Sequence, residues 1–131
     1  MKIARCIRTN TLNEKLMEQL NRIELRGNVG NVKLQVVGDK LAARFTVATN
    51  YAYKDKDGTP VIETTWHNVN AWQGRGIVDL HDIKKGSKVY VSGRLRSQRF
   101  QGEDQMERSF YEIVPKTVAL IDDKENLNYE F

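Results

Sequence analysis

The chain lacks the pairs of cysteines that stabilise many small folds through disulfides or metal sites. It has one cysteine, Cys6, so an internal disulfide is excluded, and no second Cys or nearby His offers a metal ligand set there. No apolar stretch approaches the length of a membrane span, and the basic N-terminus has no apolar segment typical of a secretory signal. We therefore expect a cytoplasmic protein with no membrane segment.

The net charge of +4 over 131 residues is only mildly basic, so the distribution of the charges along the chain is more informative than their total. The cations gather between Lys84 and Arg99, a stretch without acids, whereas acids gather near Glu103 and in the C-terminal residues. A local basic stretch favours a polyanionic partner. The alternative is a solvated strand edge whose charges oppose aggregation. The cations of this stretch are Lys84, Lys85, Lys88, Arg94, Arg96 and Arg99.

The chain divides into three parts. Residues 1–20 contain a capping box, Thr11 to Glu14, followed by leucines every four residues, which predicts a short amphipathic N-terminal helix. Residues 21–121 form one domain. Residues 122–131 are polar and acidic, and we expect a short flexible tail.

Residues 21–121 alternate as strands with one helix, which predicts an all-β, five-stranded OB-fold barrel with the helix between strands three and four. Val89, Val91 and Leu95 are expected to face inward on the fourth strand. A polar loop, Tyr51–Pro60, is expected to turn at Asp57-Gly58. The predicted strands are Arg22–Val29 continued through a bulge by Lys33–Val37, Leu41–Thr49, Val61–Trp72, Ser87–Phe100 and Met106–Val114; the helix is Arg75–Lys85.

The two tryptophans lie in the third predicted strand, where alternate residues share a face. Trp66 and Trp72 therefore line up with Asn68 and Asn70, and His67 points the other way. A tryptophan in a strand is often a core residue. Two amides between the rings make a poor interior, however, because each would need buried hydrogen-bond partners. An exposed aromatic face on a basic chain instead predicts a platform on which nucleobases stack.

Aromatic and basic residues also alternate elsewhere. The outward face of the fourth predicted strand combines Arg94, Arg96 and Phe100, so that arginine neutralises phosphate while phenylalanine stacks a base. Tyr53 and Lys54, in the loop after the second strand, extend this path. Because stacking tolerates any base, we expect little sequence specificity.

Enzymatic functions fit the sequence poorly. His67 and His81 lie outside any metal-ligand spacing, the serines have no nucleophile elbow, and the glycine pairs lack the lysine of a P-loop. The acids that a nuclease would need fall on separate elements. We therefore expect a protein that is not an enzyme, with neither metal nor cofactor, and with His67 in packing or at a subunit interface.

Four runs resemble the bacterial single-stranded DNA-binding protein family: Asn21–Gly30, Phe45–Thr49, Thr65–Val69 and Lys85–Arg96. The resemblance spans about three quarters of the chain and implies an OB-fold homotetramer that wraps single-stranded DNA in replication, recombination and repair. By position it implies base-stacking and phosphate contacts and an interface histidine. These residues are Tyr53, Trp66, Trp72 and Phe100 for stacking, Arg94, Arg96 and Arg99 for phosphate, and His67 for the interface; Lys54 and Lys88 complete the predicted DNA contacts.

Two departures from this family are visible. The chain has no Gly/Pro/Gln-rich linker, and it ends Asn128–Phe131 without the proline of the family's acidic tip, so the motif that recruits replication and repair proteins is incomplete. The N-terminal helix is the other departure. Both fit a phage or mobile-element paralogue as well as a housekeeping protein. Two alternatives stay open: an OB-fold protein-interaction module of a replication-restart complex, and an RNA-binding OB protein.

Overall fold

The computed structural model describes residues 19–121, which form a closed barrel of five strands in the order β1-β2-β3-β5-β4. This confirms the predicted all-β, five-stranded barrel, an arrangement consistent with an OB fold. The acidic tail and all but the last two residues of the predicted N-terminal helix lie outside the described residues. The strands are β1 (Ile23–Val37), β2 (Lys40–Lys54), β3 (Pro60–Trp72), β4 (Lys88–Gln101) and β5 (Glu107–Leu120).

The long strand β1 serves two sides of the barrel. Its first half pairs with β4, from Ile23↔Gly93 to Asn28↔Lys88, and its second half pairs with β2. The register shifts between Val29 and Val32, which confirms the predicted bulge in one continuous strand. Such a bulge increases the local twist, which lets one strand turn from one barrel wall to the next.

The core consists of alternate residues on all five strands. Leu80 and Ile83, from the segment between β3 and β4, cover one end of it. The side chains are mostly β-branched or aromatic, as a pleated, half-buried surface favours. The core residues are Leu25, Val29, Ala43, Phe45, Val47, Val69, Ala71, Leu80, Ile83, Val89, Val91, Ile113 and Val118.

The predicted helix over Arg75–Lys85 is wrong. The described segment contains only a 3₁₀ turn, Leu80–Asp82, in which the Asp79 carboxylate accepts a hydrogen bond from the His81 backbone N–H at 3.0 Å. The Gln73 side chain accepts from the Leu80 N–H at 2.9 Å, which replaces the intrahelical partner. The apolar spacing that resembled a helical stripe therefore reflects where the segment contacts the barrel end.

The predicted loop over Tyr51–Pro60 is shorter than expected, because β2 continues to Lys54 and β3 begins at Pro60. The Asp55 carboxylate accepts hydrogen bonds from the Asp57 and Thr59 N–H groups, both at 2.9 Å. Gly58 has a φ of +80°, which suits glycine. The predicted turn at Asp57-Gly58 is thereby confirmed, on a longer hairpin.

Leu95 differs from its predicted inward position. It is 39% exposed, whereas Val89 and Val91 are fully buried as predicted. The β4–β5 register shifts between Ser92 and Gly93, and beyond this irregularity the two strands continue as a hairpin arm. The outer end of this arm makes one wall of the groove described next.

Candidate nucleic-acid interface

The two faces of β3 differ in exposure. Trp66 is 59% exposed and Trp72 43%, whereas Val69 and Ala71 on the other face are buried. The predicted outward position of the tryptophans is therefore confirmed. Asn70 lies on the tryptophan face but is buried, where it hydrogen-bonds the side chain of Glu112. We call the tryptophan side of β1–β3 the outer face.

Gly30, within the β1 bulge, makes room for the indole of Trp66. A Cβ atom on Gly30 would lie 2.6 Å from Cζ3 of Trp66 and 2.7 Å from Oγ1 of Thr46. The Thr46 hydroxyl also accepts a hydrogen bond from the Asn31 N–H at 3.1 Å, which secures the bulge to β2. Only glycine allows the ring to lie this close to the backbone.

A groove of about 520 Å³ lies between the outer face and the β4–β5 hairpin arm. Phe100 and Phe110 form its wall on the arm, with ring centroids 5.8 Å apart in an edge-to-face arrangement. The wall opposite carries amides and cations. The lining residues are Asn31, Val32, Lys33, Arg44, Phe45, Thr46, Asn68, Val69, Phe100, Phe110 and Glu112.

Two cations in this groove were missed by the sequence reasoning. Lys33 and Arg44 pair across β1 and β2, and Arg44 pairs across to Asn70 on β3, so both side chains belong to the outer face. Within residues 19–121 neither forms an ion pair. Alternation along β2 would have found Arg44, because its neighbours Ala43 and Phe45 are core residues.

The predicted cations occupy different environments. Arg94 is exposed and has no ion pair with another described residue. Lys88 on β4 lies on the same face as Trp66 on β3. The cross-strand pairs Lys88↔Asn28, Asn28↔Ala48 and Ala48↔Trp66 connect the two positions, and paired residues share a face. Lys54 lies at the exposed end of β2.

Arg99 lies on the side of the β4–β5 arm that faces away from Phe100, since successive residues alternate. Its guanidinium is 3.2 Å from the Glu107 carboxylate, and both side chains are largely exposed. An exposed pair of this kind is weak and leaves Arg99 available to other anions.

Arg96 forms the most buried ion pair among the described residues. Its Nη2 donates to Oε1 of Glu112, a side chain that is only 3% exposed. Gln98 Nε2 donates to the same oxygen at 3.2 Å. Burial raises the pKa of Glu112, but the hydrogen bonds from Arg96 and Gln98 outweigh it and hold that pKa below its ordinary value.

Tyr53 does not lie with the tryptophans. It pairs with Val61, whereas Trp66 pairs with Ala48, and these positions fall on opposite faces of the β2–β3 hairpin. Tyr53 instead stacks with Tyr51, with centroids 5.9 Å apart and ring planes at 29°. The structure therefore brings Trp66, Trp72 and Phe100 to the groove side and leaves Tyr53 on the other.

His67 lies on the inner side of β3, near its exposed margin. Its Nε2 is 2.9 Å from the Thr49 hydroxyl. Desolvation by burial lowers the pKa of His67, so the neutral ring is favoured. The side chain is away from the groove, as the alternation of β3 predicts.

Within the part of the chain that the structure describes, no group of three or more His, Cys, Asp and Glu side chains is placed to hold a metal ion. Across residues 19–121 there is also no helix with the length and apolar character needed to cross a bilayer. The groove lining combines aromatic, amide and cationic groups with the carboxylate of Glu112.

Comparison with known proteins gives a consistent result. A family model described as "Single-strand binding protein family" matches residues 20–121. The single-stranded DNA-binding protein of Neisseria meningitidis is 32% identical over 105 residues, which cover 78% of this chain and 60% of that protein. The chain thus spans about three fifths of the length of that relative. The mitochondrial single-stranded DNA-binding protein of Danio rerio is 28% identical, over 92% of this chain and 87% of its own.

Solved structures share the barrel. The chain superposes with a TM-score of 0.68 and 29% identity on a structure described as "Plasmodium falciparum SSB complex with ssDNA", covering 79% of this chain and 96% of that one. A deletion mutant of the single-stranded DNA binding protein from Thermus aquaticus superposes with a TM-score of 0.65 at 18% identity, over 80% and 52% of the two chains. The second likeness concerns the fold alone.

Proposed function

Because the chain belongs to the single-strand binding protein family, we propose that it binds single-stranded DNA in the groove between the outer face and the β4–β5 hairpin arm. The observation that carries the proposal is the exposure of Trp66 and Trp72 on the same face as Lys33 and Arg44, two cations without an acidic partner among residues 19–121. The Neisseria relative is named for binding single-stranded DNA, and the Plasmodium structure contains it.

In this proposal the aromatic rings hold the bases. Trp66, Trp72 and Phe100 are all exposed, and each stacked base would contribute about 1–3 kcal/mol of binding free energy. Every base has such a face, so binding shows little sequence specificity. A duplex offers no free base faces inside its stack, so it gains little from these rings.

Cations on the same side would follow the phosphates. Lys33 and Arg44 lie in the groove, Arg94 and Lys88 lie on β4, and none of them forms an ion pair with a described residue. Each phosphate contact releases counterions, which lowers log K by about 0.7 for each tenfold increase in salt. Lys54, at the end of the β2–β3 hairpin, would extend this path. Arg99 lies on the other side of the β4–β5 arm and would contact phosphate only where the strand passes around that arm.

The proposal includes assembly and cellular role. We propose a homotetramer in which His67 lies at a subunit contact, because its part-buried ring faces away from the groove. Tyr53, on the same side as His67, would reach DNA where the strand passes between subunits. The roles would be protection of single strands in replication, recombination and repair. Light scattering of the purified chain tests the stoichiometry; a monomer at micromolar concentration would contradict it.

The function is tested by titrating a dT oligomer while following tryptophan fluorescence at about 50 and 200 mM salt, beside duplex DNA and a matched RNA oligomer. We expect strong quenching by the DNA single strand, weaker binding at the higher salt, and little response to the duplex. Equal affinity for RNA would favour an RNA-binding OB protein. No quenching by any strand would reject the stacking platform and favour a protein-interaction module.

A further inference from the structure

A buried carboxylate lines the proposed DNA groove. Glu112 is one of the groove residues, and its side chain is 3% exposed. A negative charge at a site that binds a polyanion weakens the binding unless a cation neutralises it. The proposed function gives Glu112 no role, so its effect on the neighbouring cations needs its own account.

Glu112, on β5, is held by side chains from two other strands, β3 and β4. Arg96 and Gln98 on β4 donate to Oε1 of Glu112, and Asn70 on β3 hydrogen-bonds the same side chain. The backbone pairing between β3 and β5 is confined to Val69↔Ile113. The Asn70–Glu112 contact therefore adds a side-chain connection at the side of the barrel with the least backbone pairing.

Arg96 and Arg94 lie two residues apart on β4 but differ in exposure and in ion pairing. Arg94 is exposed without an ion pair among the described residues. Arg96 is 33% exposed, and its charge is opposed by the nearly buried carboxylate of Glu112. A buried ion pair is screened little by salt, so its partners stay paired under conditions that weaken surface contacts.

We propose that Glu112 neutralises Arg96, so that Arg96 acts as a positioning residue that braces the groove wall and makes no phosphate contact. The inference rests on the proposed function, because it concerns the same groove. Glu112 then limits DNA affinity, since it removes one cation from those that the groove offers to phosphate. This replaces the phosphate contact predicted for Arg96 from the sequence, and it leaves that prediction for Arg94 unchanged.

The test is the salt dependence of affinity for a dT oligomer, measured for the full chain and for single variants. Arg94→Gln should reduce the slope of log K against log salt by about 0.7, the value for one phosphate contact. Arg96→Gln should leave the slope unchanged. Glu112→Gln should free Arg96 and steepen the slope by about 0.7. A purely structural role for Glu112 would not steepen it.

A double variant guards against misfolding, because a single change leaves one buried charge unpaired. Arg96→Gln with Glu112→Gln removes both charges together, a change that buried pairs often tolerate. We expect its slope to equal that of the unmodified chain. A slope lower by about 0.7 would show that Arg96 contacts phosphate and would overturn the inference. Absence of DNA binding by the unmodified chain would instead reject the proposed function.

Discussion

The inner and outer faces of β3 use the same strand for opposite purposes. On the inner face, Val69 and Ala71 are excluded from water and pack in the core. On the outer face, Trp66 and Trp72 keep large apolar rings in solvent, where they add nothing to the core. Burial of apolar area stabilises a fold at about 25 cal/mol per Å². Exposed tryptophan forgoes this gain, and the proposed stacking of bases would account for its position.

The largest effect should come from the inner side. Ile113 pairs with Val69 and is 1% exposed, so Ile113→Ala should lower the free energy of unfolding by about 2–5 kcal/mol. Urea denaturation measures this loss. Val36→Ala is the control, because Val36 is 71% exposed and its removal should change stability by at most about 0.5 kcal/mol. Similar losses in both variants would contradict the assignment of the core.

On the outer face, Trp66→Ala should weaken binding of a dT oligomer by about 1–3 kcal/mol while leaving the unfolding transition nearly unchanged. Tyr111→Ala is a matched control. Tyr111 is 63% exposed but lies on the β4–β5 side that faces away from Phe110 and the groove. Fluorescence titration compares the two. Equal affinity of the two variants for the dT oligomer would show that Trp66 contributes no more to binding than an exposed aromatic residue outside the groove.

Gly30→Ala separates the position of the Trp66 ring from its presence. The new Cβ would lie 2.6 Å from the indole, so the ring must move. We expect an affinity loss of about 1 kcal/mol, at the lower end of the range for one stacked base, with a shifted tryptophan emission maximum. Gly74→Ala is the control, because a Cβ there meets only the Trp72 carbonyl oxygen, at 4.0 Å. An unchanged emission and affinity in Gly30→Ala would argue against tight indole packing.

The charge of the outer face is tested by Arg44→Gln. It should reduce the slope of log K against log salt by about 0.7, because one phosphate contact is lost. Lys116→Gln is the control, since Lys116 is exposed on β5 and does not line the groove. Titrations at several salt concentrations give the slopes. Equal reductions in both variants would mean that the groove has no preferred phosphate path.

The smallest effect should be the pH dependence of the inner face at His67. Burial lowers the pKa of His67 in the folded chain, so below its ordinary value of 6.5 the unfolded chain binds the proton more readily. The stability linked to this group is therefore complete above pH 6.5 and declines as the pH falls below it. His67→Gln should remove this part of the decline in urea denaturation between about pH 7 and 5. Identical pH profiles would contradict the burial effect.

Local alternation predicted most of the strands and the faces of β3. The Asp57-Gly58 pair predicted the turn, because the tip of the hairpin needs a residue with positive φ and glycine adopts it readily. Local periodicity failed over Arg75–Lys85, where apolar residues at helical spacing contact the barrel end around a 3₁₀ turn. That spacing depends on what the segment touches, and a single sequence does not specify those contacts.

The candidate site was predictable in its aromatics more than in its charges. The shared face of Trp66 and Trp72 follows from alternation, and their outward position was predicted from the amides between them. The groove cation Arg44 follows from the same alternation, but it lies outside the basic stretch Lys84–Arg99. Arg96 looked like a free cation because its partner, Glu112, is on another strand and sixteen residues away in the chain. Ion pairing between strands depends on register, which composition does not reveal.

By itself the sequence determined the class of fold and the common face of the two tryptophans, because a strand's side chains alternate with a period of two residues wherever the strand lies. Only the tertiary structure decided which groups meet at the groove. The bulges at Val29–Val32 and Ser92–Gly93 set the path of the strands, which brings Phe100 opposite Lys33 and Arg44. The register of the β2–β3 hairpin places Tyr53 on the opposite face from Trp66. These outcomes depend on contacts between distant residues, for which local periodicity contains no information.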